Sequence, residues 1–172
     1  GFAHRHFSIP PHNSLLKDFK NNDYDISYYY GCYRDVDRYD NFLNVNDIEN
    51  IFIPKQENID EDIYNLMREN HRWGLDDKEL FDIVINDRKS TNNDKPFVDI
   101  IMTLSTHEPF IILENQDKYE LMAKDFIEKN TSVSKTEKNA ILKNLNVFAC
   151  YLYMDECVKN LINSYKKMCK YD

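Results

Sequence analysis

Residues 96–105 read PFVDIIMTLS, a run that is nearly all apolar or β-branched. Such a composition suits a strand of a parallel sheet whose two faces are both covered, because a strand with one wet face alternates apolar and polar residues. A covered parallel strand in turn demands helices on either side, since each parallel pair needs a crossover. The run therefore predicts an α/β chain with this strand at the centre of its sheet. It ends in TLSTHEPF (103–110), and polar residues at the carboxyl end of such a strand sit where open α/β sheets hold their ligands. That makes His107 the first candidate for function, with Glu108 behind it. The plain alternative is a histidine that only hydrogen-bonds at a strand end.

The rest of the chain alternates in the same way. YDISYYYG (24–31) is β-branched and aromatic and stops at Gly31, and ENIFIP (49–54) stops at Pro54, so both read as strands. SLLKDFKNN (14–22) has Leu15, Leu16 and Phe19 at helical spacing behind a cap at Asn13 or Ser14. DVDRYDNFLNV (35–45) puts Val36, Tyr39, Phe42 and Leu43 on one helical face, and DDKELFDIVIND (76–87) opens on acids and gathers Leu80, Phe81, Val84 and Ile85. One further helix is expected around Glu61–Glu69, a loop over RKSTNNDK (88–95), and a polar stretch between HEPF and Ser134. From a cap at Ser134, a single long amphipathic helix carrying Ile141, Leu145, Phe148, Leu152, Leu161, Ile162 and Tyr165 is expected to end near Lys170.

Residues 1–13, with their Pro-Pro pair, read as an extended arm, and 1–172 as a single domain. Three strands make a thin sheet beside a mean of about five or six. The alternation also calls for another strand after the last helix, so the chain is expected to be the central part of a larger domain. An unpaired sheet edge would then be open to self-association or be covered by a helix.

Composition narrows the function. At 172 residues the chain can bury roughly two thirds of its unfolded surface. Its 12 Tyr and 10 Phe, with 42% hydrophobic and 30% charged residues, argue for a packed core and against disorder. Three glycines cannot assemble a Gly-rich phosphate loop. A net charge of -8 argues against a broad nucleic-acid interface, which draws its affinity from clustered Lys and Arg. No run approaches the roughly 18 apolar residues that cross a bilayer, so the segment is expected to be soluble by itself. The four cysteines show no C-x-x-C spacing, and Cys150 and Cys157, seven apart, suit the buried face of a helix better than a zinc site.

Several smaller motifs have two readings. DVDRYD from Asp35 opens like a calcium loop but places Asp40 where glycine is needed and Asn46 where glutamate is needed. His4, His6 and His12 form a set that zinc or copper accepts, on what reads as a floppy arm. Trp73 reads either as a lid aromatic over a ligand or as a loop anchor on the core. Cys32, at a strand end with no base beside it in sequence, reads as structural.

Taken in order, SLLKDFKNNDYDISYYYG, DVDRYDNFL, RWGLDDKELFDIVI, KPFVDIIMTLSTHEPF and YLYMDECVKNLINSYKK resemble the middle of a known catalytic domain. It is the sulfatase-type domain of the lipoteichoic acid synthase and phosphoglycerol transferase family, within the alkaline phosphatase superfamily. The resemblance runs over nearly the whole chain from about Ser14. Its most specific part is WG.DD..LFD followed about twenty residues later by KPF…TLS.HEPF.

The resemblance implies a membrane-anchored parent whose catalytic domain lies outside the cytoplasm and acts on phosphate or sulfate esters with a divalent metal (Mn, Mg, Ca or Zn). Membrane contact would come only through segments outside this chain. In that family the metal activates a threonine nucleophile, or a modified cysteine or serine in sulfatases proper, and neutralises the phosphate. The nucleophile and an acidic metal ligand lie upstream of the matched stretch, and an Asp-His pair follows downstream. No Gly-Asp-His occurs here. The resemblance thus implies a substrate-binding wall without nucleophile or metal ligands, inactive alone and binding no metal itself. His107 matches the histidine that helps hold the substrate's phosphate, and Arg38 lies within one position of a substrate-contacting arginine. Trp73 and Tyr30 complete the implied substrate-binding set. Tyr30 stands where the lipoteichoic acid synthases have a histidine, and DVDRYD where they have a tryptophan-containing stretch, so glycerol-phosphate specificity is not implied. The rival reading is a non-catalytic binding or interaction domain with the superfamily's shape.

Overall fold

The structure, a computed structural model, describes residues 9, 12–32, 39–55, 57, 59–69, 73–91 and 95–168, with residue 40 described by its backbone alone. In chain order the elements are α1 (Leu15–Asn21), β1 (Asp25–Tyr30), α2 (Tyr39–Val45), β2 (Asn50–Phe52), α3 (Glu61–Glu69), α4 (Asp77–Ser90), β3 (Phe97–Met102), α5 (Gln116–Lys129), α6 (Lys135–Leu142) and α7 (Leu145–Lys167). The strands form one sheet in the order β2-β1-β3, every pairing parallel. An α/β chain with a parallel sheet is what the alternation predicts.

The period of two along β1 builds two cores. Ile26, Tyr28 and Tyr30 face one way, into a cluster with Leu43 and Ile48, against which Leu16 and Phe19 of α1 and Phe42 of α2 pack. Tyr29 faces the other way, onto Leu80, Phe81, Val84 and Ile85 of α4 and Ala149, Cys150, Tyr153 and Cys157 of α7. The β3 residues in register follow suit: Ile100 and Met102 join the first cluster, Phe97 and Ile101 the second. Helices therefore cover both faces, as expected. Cys150 and Cys157 both lie on the buried face of α7, and burial pushes the Cys157 thiol up to about 12.

Four expectations are corrected. The apolar run 96–105 is not central within the described sheet, because β1 lies between β2 and β3. An apolar composition reports that the two faces are covered; it carries no information on how many strands pair alongside. Arg88–Ser90 belong to α4 instead of opening a loop, and the rest of that loop lies partly outside the described residues. The polar stretch before Ser134 contains the 14-residue helix α5, held by Tyr119, Ala123 and Ile127 at a spacing of four. The single long helix is two, divided at Lys143–Asn144. There the Asn144 amide donates to Ala140 O at 3.1 Å, the local side-chain bond that competes with helix continuation.

Residues 33–38 lie outside the described residues, as do His4, His6 and most of the arm, so Arg38 receives no structural account. His12 is described: its ring stacks on Phe42 at 5.8 Å.

Candidate functional site

Parallel strands deliver their exits to one rim, and here the exits of β1 and β3 are joined to each other and to the start of α4. Gly31, directly after β1, donates its N–H to Met102 O at 2.9 Å, and its own carbonyl accepts from Leu75 N at 2.9 Å. Cys32 and Gly74 form an isolated antiparallel bridge. The approach is close enough that a Cβ on Gly74 would sit 1.9 Å from Gly31 O, so only glycine fits there. The segment Trp73–Asp77 is thus fastened against the end of the sheet before α4 begins.

The loop after β3 is built from two tight turns. His107 N donates to Leu104 O and Phe110 N donates to His107 O, both at 2.9 Å. Glu108–Pro109 is a cis peptide, and Phe110 takes a left-handed φ of 58°. For a bulky residue that conformation costs of order 1 kcal/mol or more and persists only where its surroundings impose it. His107 stands exposed on this loop with its ring centroid 4.9 Å from that of Trp73, tilted 43°. Its Nδ1 lies 2.8 Å from Glu108 O. A carbonyl only accepts, so Nδ1 carries a proton, and Nε2 donates to an anion when the ring is charged.

The structure thus brings together two of the sequence-predicted residues, His107 and Trp73. Tyr30 ends β1 one residue before Gly31, and its ring is buried, 6.0 Å from Tyr39 and 6.3 Å from Tyr28. Burial, followed by the neighbouring Cys32, raises its phenol above the ordinary range. Glu108 is exposed. Among the described residues no group of three His, Cys, Asp or Glu is placed to hold a metal ion. No helix among them is long and apolar enough to cross a membrane.

Two solved structures share this architecture. One is a protein in the alkaline phosphatase superfamily from Vibrio parahaemolyticus, at 16% identity and a TM-score of 0.54, the match covering 92% of this chain and 32% of that one. The other is the lipoteichoic acid synthase LtaP from Listeria monocytogenes, at 19% identity and a TM-score of 0.56, covering 96% and 34%. The chain has the alkaline phosphatase superfamily fold. It spans about a third of the length of each of these structures. No family model and no curated protein matches the sequence.

Within this alkaline phosphatase-like fold, sequence reasoning missed Asp76 and Asp77. The pair reads as the acidic opening of a helix, yet Asp76 at the N-cap makes no side-chain cap bond to α4. Asp76 Oδ2 instead accepts from Leu113 N at 2.6 Å. Asp77 Oδ1 accepts from Leu104 N at 2.9 Å and Ser105 N at 3.0 Å, while Ser105 Oγ accepts from Asp77 N at 3.1 Å. Both carboxylates hold the loop that carries His107. The only hint in sequence is that the two acids come two residues after Trp73-Gly74, and nothing local says which backbone they will meet.

Proposed function

We propose that this chain is the substrate-binding middle of a metal-dependent catalytic domain that acts on phosphate or sulfate esters, in the manner of a phosphoglycerol transferase or a sulfatase-type hydrolase. The observation that carries the reading is the imidazole of His107 at the carboxyl rim of a parallel sheet, tilted against the Trp73 ring at 4.9 Å, in a chain with this fold. A charged imidazole donating from Nε2 is suited to an anionic ester oxygen, and an adjacent indole face supplies the apolar wall that fixes orientation.

Arg38 and Tyr30 are proposed to complete the substrate wall, Tyr30 through its hydroxyl because its ring is committed to the core. The nucleophile and the divalent metal, Mn, Mg, Ca or Zn, are assigned to other parts of a parent protein, membrane-anchored and facing out of the cytoplasm. These assignments rest on the motif resemblance.

The test is activity and binding with these 172 residues. With added manganese, no phosphatase, sulfatase or phosphoglycerol transferase turnover is expected above buffer. Robust turnover would overturn the division of labour. Titration with glycerol phosphate or sulfate should move the His107 ring resonances in NMR spectra, and His107→Gln should abolish that response. An unmoved His107 at tens of millimolar ligand would count against the substrate role and favour a non-catalytic interaction domain.

A further inference from the structure

The carboxylate of Asp77 is buried, 1% exposed, at a place where an ordinary helix-capping acid would be wet. Its Oδ1 takes two backbone N–H groups from the strand exit, at Leu104 and Ser105, and its own N–H is taken by the buried Ser105 hydroxyl. Its Oδ2 has no hydrogen-bond partner among the described residues. Leaving a carboxylate oxygen buried and unpaired costs stability, so a group kept there calls for an explanation beyond capping. The next bond along supplies one: Leu104, whose N–H Asp77 holds, uses its C=O to accept the N–H of His107. Two residues before Asp77, the Gly74–Leu75 peptides are pinned to Gly31, and Trp73 packs on the His107 ring.

We infer that Asp77 is a positioning residue for His107: it locks the Leu104–Ser105 backbone so that the imidazole is presented against Trp73 in one orientation. Asp76, through Leu113 N, holds the far end of the same loop. The consequence of this geometry for substrate rests on the function proposed above, but the geometry itself does not.

The test exploits the single tryptophan of the chain. At 4.9 Å, the ring current of Trp73 displaces the His107 ring proton resonances, which are identified by their loss in His107→Gln, and Trp73→Ala gives the undisplaced reference. In Asp77→Ala the displacement should fall by at least half while the amide spectrum stays dispersed. Asp77→Asn, which keeps a neutral acceptor of the same shape, should give a smaller fall, because charge-assisted bonds are about twice as strong as neutral ones. If Asp77→Ala fails to fold, Asp77→Asn decides: an undiminished displacement overturns the inference, as does a folded Asp77→Ala with wild-type shifts. Glycerol phosphate is then added to the wild type and each folded variant. A displacement that follows the expected order while glycerol phosphate leaves His107 unmoved would sink the substrate role and leave the positioning role standing. A response to glycerol phosphate that is equal in wild type and Asp77→Ala would do the opposite.

Discussion

Among the described residues, the Arg88 side chain is held on every side. It is 5% exposed, with Nε and Nη2 on Asp99, Nη1 on Asp25 at 2.7 Å, a further bond to Ser27 at 2.9 Å, and its guanidinium 4.4 Å over the Phe97 ring. Tyr165 adds a hydroxyl bond to Asp99 at 2.6 Å. Burial alone would lower the Arg88 pKa, but the hydrogen bonds of Asp99 and Asp25 and the charge of Asp99 outweigh it and raise the value. Arg88→Ala would strand the Asp99 carboxylate and is expected to destabilise by about 3–5 kcal/mol in urea unfolding. Combining Arg88→Met with Asp25→Asn and Asp99→Asn should recover most of that loss; no recovery would mean that the site depends on charge and not on satisfied polar atoms. Glu79 behaves oppositely. Burial raises its carboxyl above the ordinary value of 4.5, against the opposing effect of its own backbone and Lys78. The folded state then holds a proton that the unfolded chain has released, so this residue's penalty is absent well below pH 4.5 and grows as pH rises through its folded pKa. Glu79→Gln should raise Tm at pH 7 and leave it nearly unchanged at pH 3; an equal effect at both would refute the account. Neither residue was legible as such, because Arg88 sits in the polar string RKSTNNDK and only the pairing of β1 with β3 brings Asp25 and Asp99 beneath it.

At the scale of elements, legibility followed the width of the apolar stripe. α4 declares itself because Leu80, Phe81, Val84 and Ile85 are packed on one side, and the helical character of α7 is legible from Leu161 and Tyr165, both buried, although the same pattern ran it together with α6. α5 does not, since its buried stripe is a single row and Leu121, Met122 and Phe126, 67%, 45% and 60% exposed, blur the period. α6 shows the reverse case of a local signal stronger than its packing: it has no buried residue but a complete capping box, with Ser134 Oγ accepting from Glu137 N and Glu137 Oε2 accepting from Ser134 N. These differences predict different kinds of damage. Ile127→Ala in α5 should lower global stability by about 2–5 kcal/mol. Ser134→Ala should cost about 1 kcal/mol and act locally, speeding amide exchange in α6 before α7 or the sheet is affected. Exchange that accelerates uniformly across the chain would contradict that separation.

For the molecule as a whole, β2 and β3 each pair on one side only among the described residues. Unpaired strand edges recruit other strands, so the 172-residue chain is expected to self-associate as concentration rises. Light scattering that reports a monodisperse monomer at millimolar concentration would overturn this. The parallel α/β architecture was readable because it follows from local quantities: a run apolar on both faces, periods of 2 and 3.6, and the punctuation of Gly31, Pro54 and Ser134. His107 and Trp73 were readable as candidates because strand exits and isolated aromatics stand out in one dimension. Tertiary structure alone decided which strand is central, that Trp73 meets His107, and that Asp77 fastens the histidine loop. Sequence composition records how much water a residue can tolerate, and these three outcomes depend instead on which distant backbone each residue meets.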